Sequence, residues 1–215
     1  MKVMLIIFIL SFGFSAEGDS DIGFSYGVLG RLKSQEEKIT ILQDSSMIQT
    51  GDSVRINVGY EKNTHMYVIY KGSEGEFMML YPEGSGNAEN LADLPDTLFN
   101  TVLHWSQFSD PTGFETFYLI NANEKQNELV KLMARYDGVN AKGKMKIGKL
   151  IEKELDRLNP ENMGDLASIG SRLDKPIVGG VAFRGEGDEI KDLSLTDQCV
   201  GKYGIAYKQI ILNHK

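Results

Sequence analysis

Residues 51–82 hold three strand-like segments in quick succession, and they constrain the fold more than any other stretch. Apolar and polar residues alternate through 54–58, as in a strand with one buried face. Residues 66–70 are apolar or aromatic throughout, and 77–81 end at Pro82, which lacks the N–H that a further ladder bond needs. The links between the segments have hairpin length, which favours consecutive antiparallel strands.

The middle segment has two apolar faces. Met66, Val68 and Tyr70 share one face, and Tyr67 and Ile69 share the other. A strand of this kind is typically covered on both sides. We therefore expect it in the interior of a sheet, with Met66, Val68 and Tyr70 in the core.

The rest of the chain continues with strands, then helices, then strands. Strand patterns occupy 37–43, 102–108, 115–121, 175–184 and 203–213, and helical spacing occupies 125–136, 146–158 and a short stretch at 166–173. This order predicts a mostly β, antiparallel sandwich-like domain with a helical insertion at 125–173, which is α+β overall.

The first 36 residues divide into two parts. Residues 1–15 combine Lys2 with an apolar run and small residues, which is typical of a secretory signal peptide, although a buried N-terminal strand is the alternative. The apolar run is shorter than the roughly 20 residues that span a bilayer. We predict an exported chain, periplasmic or secreted, without stable membrane insertion. Residues 16–36 are predicted to be a flexible lead-in, and 37–215 a single domain.

The charge balance disfavours nucleic acid as a partner. The net charge is −7 and the pI about 5.1, so most of the surface repels phosphates. The nearest basic patch is Lys142, Lys144, Lys146 and Lys149, which three acidic residues follow within 152–156. Mixed charge of this kind is typical of a solvated helix face.

Few residues offer catalytic or metal chemistry. Cys199 is the one cysteine, and without a nearby histidine it is more typical of a buried small side chain than of a nucleophile or an intermolecular partner. His65, His104 and His214 have no metal-ligand spacing, and no phosphate-binding loop or nucleophile elbow is present. We expect no cofactor, no metal and no catalytic residues.

Aromatic side chains and one long polar segment are the remaining candidates for binding. Residues 83–100 are predicted to be a loop, and a loop of this length in a compact domain is often functional. Core packing is the alternative for the aromatic residues. The candidate binding residues are Tyr67, Tyr81, Asn87, Asn90 and Trp105, with Tyr70 as a further aromatic residue that could line a groove.

The order of short motifs resembles a known bacterial family. The motifs are Gly51-Asp52-x-Val54-x-Ile56, Tyr67-Val68, a turn with Gly75, Leu80-Tyr81-Pro82, and Gly113-Phe114-Glu115 at a later strand entry. Over residues 46–124, with a weaker match in the C-terminal strand, the chain resembles the family called domain of unknown function 4384. The resemblance implies a β-rich module, found alone in exported proteins or attached to kinase-like and caspase-like domains. It carries over no activity and no catalytic residues.

Three hypotheses for the function follow. The leading one is an exported, non-catalytic module that binds an unidentified protein or polymer partner of the bacterial envelope. The second is an envelope-acting hydrolase that uses carboxylates or Cys199. The third is a structural subunit of an envelope assembly.

Overall fold

The computed structural model describes residues 22–35, 38–61, 63–82, 97–163, 197–201 and 203–215. Within these ranges the strands form two five-stranded sheets, and two helices accompany them. All strand pairs are antiparallel except one between β3 and β10, defined below. The predicted β-rich sandwich with a helical insertion is confirmed.

The chain passes several times between the two sheets. The elements are β1 (Gly23–Arg31), β2 (Ile39–Ile41), β3 (Met47–Ile48), β4 (Ser53–Glu61), β5 (His65–Lys71), β6 (Phe77–Tyr81), β7 (Thr97–Gln107), β8 (Gly113–Ala122), α1 (Asn127–Asp137), α2 (Ala141–Leu158), β9 (Asp197–Val200) and β10 (Ile205–His214). The first sheet has the order β2-β1-β4-β7, with β9 also beside β1. The second has the order β3-β10-β8-β5-β6.

Strand β5 has the two covered faces that its sequence predicts. Met66 and Val68 belong to the core between the sheets, where Tyr70 packs against them from a half-buried position. Tyr67 and Ile69 belong to a second core between the second sheet and the helices. The protein is therefore built in three layers, with the second sheet in the middle.

The helices bury one face each on the second sheet. The buried residues are Leu129, Leu132, Met133 and Tyr136 on α1, and Ile147, Ile151, Leu155 and Leu158 on α2. Helix α2 begins at Ala141, five residues before the predicted start at 146. The Asn140 side chain accepts a hydrogen bond from the Gly143 N–H (3.1 Å) and caps the helix there. The predicted start lies too far along the chain because it was read from the apolar stripe, which starts only at Ile147.

The predicted flexible lead-in at 16–36 is wrong for residues 23–31. They form β1, which pairs with β4 from Phe24↔Tyr60 to Arg31↔Ser53. Phe24, Tyr26 and Val28 alternate into the core between the sheets. This period-2 pattern is present in the sequence, but the interspersed glycine and serine residues concealed it. The domain therefore starts before residue 37.

Strand β7 starts at Thr97, so the predicted loop at 83–100 is wrong for its last four residues. The remainder of that segment lies outside the described residues. So do the predicted signal peptide, the third helix at 166–173 and the strand at 175–184. In the ranges that the structure covers, neither helix is long and apolar enough to cross a membrane.

Candidate functional site, a cleft between two edge strands

A cleft of about 320 Å³ opens between the two sheets where β6 and β7 approach each other. In the described part of the chain, each of these strands is the last of its sheet. Half of the lining residues are apolar or aromatic: Tyr70, Met78, Leu80, Leu103, Phe108, Pro111 and Phe117. Four are neutral and polar: Ser73, Ser106, Gln107 and Ser109. Three carboxylates also line the cleft, on Glu76, Asp110 and Glu115. Concave sites of this composition are typical of ligand-binding sites.

Glu115 lies at the bottom of the cleft and is only 2% exposed. The Tyr70 hydroxyl donates a hydrogen bond of 2.6 Å to its Oε2 atom. Burial, and then this bond to Glu115, raise the pKa of Tyr70 above its ordinary value. Tyr70 therefore stays a hydrogen-bond donor to the carboxylate at physiological pH.

His214 contacts the other oxygen of Glu115. Strand β10 pairs with β8 so that Leu212 lies opposite Glu115 and His214 is its diagonal neighbour. The His214 Nδ1 atom is 3.2 Å from Glu115 Oε1, and the His214 side chain is fully buried. The sheet register therefore brings together two residues that are 99 positions apart in the chain.

The contacts continue to the protein surface. His214 Nε2 lies 3.1 Å from Thr50 Oγ1, and Thr50 Oγ1 lies 3.0 Å from Asp110 Oδ1. We call these five side chains the polar relay: Tyr70, Glu115, His214, Thr50 and Asp110. A threonine hydroxyl has one proton to donate. With both carboxylates ionised, all four bonds form together only when both His214 ring nitrogens donate.

A tight turn holds Thr50 in place. Asp52 is buried, and its carboxylate accepts hydrogen bonds from the Lys33 and Gln49 N–H groups, both at 2.8 Å. The Gly51 N–H donates to the Phe108 carbonyl oxygen at 2.7 Å. Gly51 has φ +93°, a conformation that favours glycine. The Gly-Asp pair therefore fixes Thr50 and the start of the 108–112 connection relative to each other.

The candidate residues predicted from the sequence lie apart from one another. Tyr67 is buried under the helices, where its hydroxyl accepts a hydrogen bond from the Gln126 N–H (3.0 Å). Tyr81 packs on the core between the sheets, with its hydroxyl bonded to that of Tyr60. Trp105 lies under the Arg31 guanidinium, 4.2 Å from the ring centre. These three do not line the cleft, whereas Tyr70 does. Asn87 and Asn90 lie outside the described residues.

Glu115, His214 and Thr50 were missed as functional candidates. Their positions are far apart in the sequence, and only the pairing of β8 with β10 unites two of them. One signal was available, since an acidic residue in an otherwise apolar strand must find partners when it is buried. In the ranges that the structure covers, no group of three or more metal-ligating side chains is present.

Cys199 lies on β9, away from the cleft, and its thiol donates to the Tyr207 carbonyl oxygen at 3.3 Å. Burial raises the pKa of the Cys199 thiol from 9.0 to about 11. The thiolate is the nucleophilic form, and little of it is present at neutral pH.

We therefore expect Cys199 to react slowly with iodoacetamide in the folded protein. At pH 8 the raised pKa lowers the thiolate fraction, and with it the alkylation rate, about 100-fold relative to the chain unfolded in urea. Mass spectrometry of timed samples measures both rates. Equal rates in the folded and unfolded states would show that the thiol is exposed and ionises normally.

No family model, curated protein or solved structure matches this chain. The resemblance to domain of unknown function 4384 stays a prediction.

Proposed function

We propose that the protein is an exported, non-catalytic module that binds a protein partner in the cleft between β6 and β7. The partner supplies an extended segment with a basic side chain flanked by apolar ones. The observation that carries this proposal is the cleft itself, where apolar side chains and carboxylates lie together between two edge strands.

The edge strands supply backbone hydrogen-bonding groups. Strand β7 is 11 residues long and pairs with β4 on one side, while β6 pairs with β5 on one side, among the described strands. An extended peptide that adds to such an edge gains main-chain hydrogen bonds, and adjacent pockets select its side chains. The cleft lies next to both edges and suits this selective role.

The carboxylates determine the preferred charge. Glu76 and Asp110 are exposed, and Glu76 makes no ion pair with any described residue. Glu76 lines the cleft together with Tyr70, Met78 and Leu80. A lysine or arginine side chain can therefore pack its methylenes on Met78 and Leu80 and direct its charge to Glu76.

The test is selection from a displayed library of random peptides, followed by fluorescence anisotropy with the enriched peptides. We expect enrichment of sequences with a basic residue between apolar ones. Glu76→Lys should then weaken binding about tenfold to a hundredfold, because it removes a charge-assisted contact and introduces repulsion.

Glu74→Lys provides a matched control. It makes the same charge change two residues earlier in the same turn, on an exposed residue that does not line the cleft. Its affinity should stay within about twofold of the unmodified protein. Enrichment of acidic peptides, or equal losses in the two variants, would refute the proposed cleft specificity.

A second candidate function rests on the polar relay. Thr50, His214 and Glu115 have the order hydroxyl, imidazole, carboxylate, at 3.1 and 3.2 Å, as in enzymes that transfer acyl groups. An envelope hydrolase would therefore use Thr50 rather than Cys199. We rank this function second because Asp110 competes as an acceptor for the one Thr50 proton that catalysis must pass to His214.

Chromogenic esters of increasing acyl length separate the two functions. A hydrolase would show turnover that both Thr50→Val and His214→Gln abolish while the fold, measured by circular dichroism, persists. Unchanged background rates in all three proteins would leave binding as the function of the site.

A further inference from the structure

Helix α2 carries an exposed stripe of lysines on the face opposite the buried one. Lys142, Lys146, Lys149 and Lys153 follow the spacing i, i+4, i+7, i+11, so they lie on one side of the helix. All four are exposed, and none makes an ion pair with a described residue. We call them the lysine stripe. It is a local positive surface on a chain of net charge −7.

Two of the three acidic residues of the same helix have partners away from the stripe. Glu152 forms an ion pair of 2.6 Å with Lys71 on β5. Glu154 is buried and holds the Arg157 guanidinium through two hydrogen bonds. Asp156 is exposed and lies beside the stripe, three residues after Lys153. The four lysines outnumber this one acidic neighbour, so the stripe keeps a positive charge.

The structure also changes the membership of this basic patch. The sequence grouped Lys144 with Lys142, Lys146 and Lys149. Lys144 instead lies over the Tyr136 ring, 5.0 Å from its centre, and is only partly exposed. Lys153 takes its place, one helical turn beyond Lys149.

Exposed apolar side chains flank the stripe on both sides. Met145 is 73% exposed and Leu150 is 46% exposed. From the 100° rotation per residue, each lies on a different side of the four lysines. The stripe is about 16 Å long at 1.5 Å per residue, which is enough to contact several lipid headgroups.

We propose that this face of α2 docks on the surface of a bilayer that contains anionic lipids. Lysines near such a surface attract its headgroups, and their long aliphatic stems allow the neighbouring apolar side chains to enter the interface. Met145 and Leu150 favour a bilayer over a nucleic acid, because a phosphate backbone offers no apolar layer to receive them. The contact is peripheral and independent of the cleft between β6 and β7.

Vesicle co-sedimentation tests this proposal. The protein is used in the form that is isolated from the cells that produce it. We expect binding to vesicles of phosphatidylcholine mixed with phosphatidylglycerol, weak binding to phosphatidylcholine alone, and loss of binding at high salt. The double variant Lys146→Gln/Lys149→Gln should bind the anionic vesicles about thirtyfold more weakly.

The control variant is Lys33→Gln/Lys215→Gln, which makes the same charge change at exposed lysines outside the helical layer. It should bind as the unmodified protein does. Equal weakening in both variants would mean that net charge alone matters, and it would overturn the proposal. Absence of binding to anionic vesicles, or binding to duplex DNA in place of vesicles, would overturn it as well.

Discussion

Glu115→Ala is expected to lower the free energy of unfolding by about 3–5 kcal/mol, the range for removing one partner from a buried charged contact. The Glu115 carboxylate accepts from Tyr70 at 2.6 Å and contacts His214 at 3.2 Å, and alanine leaves both of them without that acceptor. Because Glu115 and His214 are both buried, solvent does not replace the bond between them. Urea denaturation followed by circular dichroism measures the change.

Two variants accompany this experiment. Glu115→Gln keeps an acceptor oxygen and the side-chain volume, so it should cost less than Glu115→Ala. Glu124→Ala removes an exposed carboxylate and should change stability by no more than about 0.5 kcal/mol. Equal free energies of unfolding for Glu115→Ala and Glu124→Ala would show that the polar relay does not stabilise the fold.

Ile151→Ala is expected to destabilise the whole protein by about 2–5 kcal/mol, because it opens a cavity between α2 and the second sheet. Ile151 is 0% exposed and belongs to the core that also contains Tyr67 and Ile69 of β5. The helical layer and the sandwich share β5, so they should unfold in one transition. Thermal and urea unfolding, followed by circular dichroism of the helices and by tyrosine fluorescence, measures whether there is one transition.

The control is the adjacent residue in the same helix. Leu150→Ala removes a similar apolar volume from a side chain that is 46% exposed, and its cost should stay below about 1 kcal/mol. If Ile151→Ala altered the helix signal alone and left the melting of the sheets unchanged, the helices would be a separate unit attached to the sandwich.

The sequence predicted those parts of the fold in which a local pattern determines the structure. The two apolar faces of β5 correctly implied layers on both sides, and the stripes of α1 and α2 correctly implied helices that bury one face. Strand β1 was missed because the glycine and serine residues between its apolar positions resemble those of a flexible segment. Backbone pairing with β4 nevertheless places Phe24 and Val28 in the core.

The candidate site could not be predicted in the same way. Tyr70, Glu115 and His214 come together only through the order and register of β5, β8 and β10, which no local pattern encodes. Tyr67 and Trp105 were predicted to bind a partner because they are aromatic. In the structure, Tyr67 instead contacts Gln126 and Trp105 contacts Arg31, both outside the cleft. The pairing of Glu152 on α2 likewise depends on Lys71, which lies 81 positions away in the chain.

The position of β10 in the second sheet has a consequence for the order of events during synthesis. Strand β8 needs β10 along its whole length, from Ile205↔Ala122 to His214↔Gly113, and β3 pairs with β10 alone among the described strands. The second sheet is therefore incomplete until residues 205–214 have left the ribosome, and the hydrogen bonds of His214 form last. We expect pulse-proteolysis of chains truncated before residue 205 to find them unprotected, and protection to begin only once β10 is present.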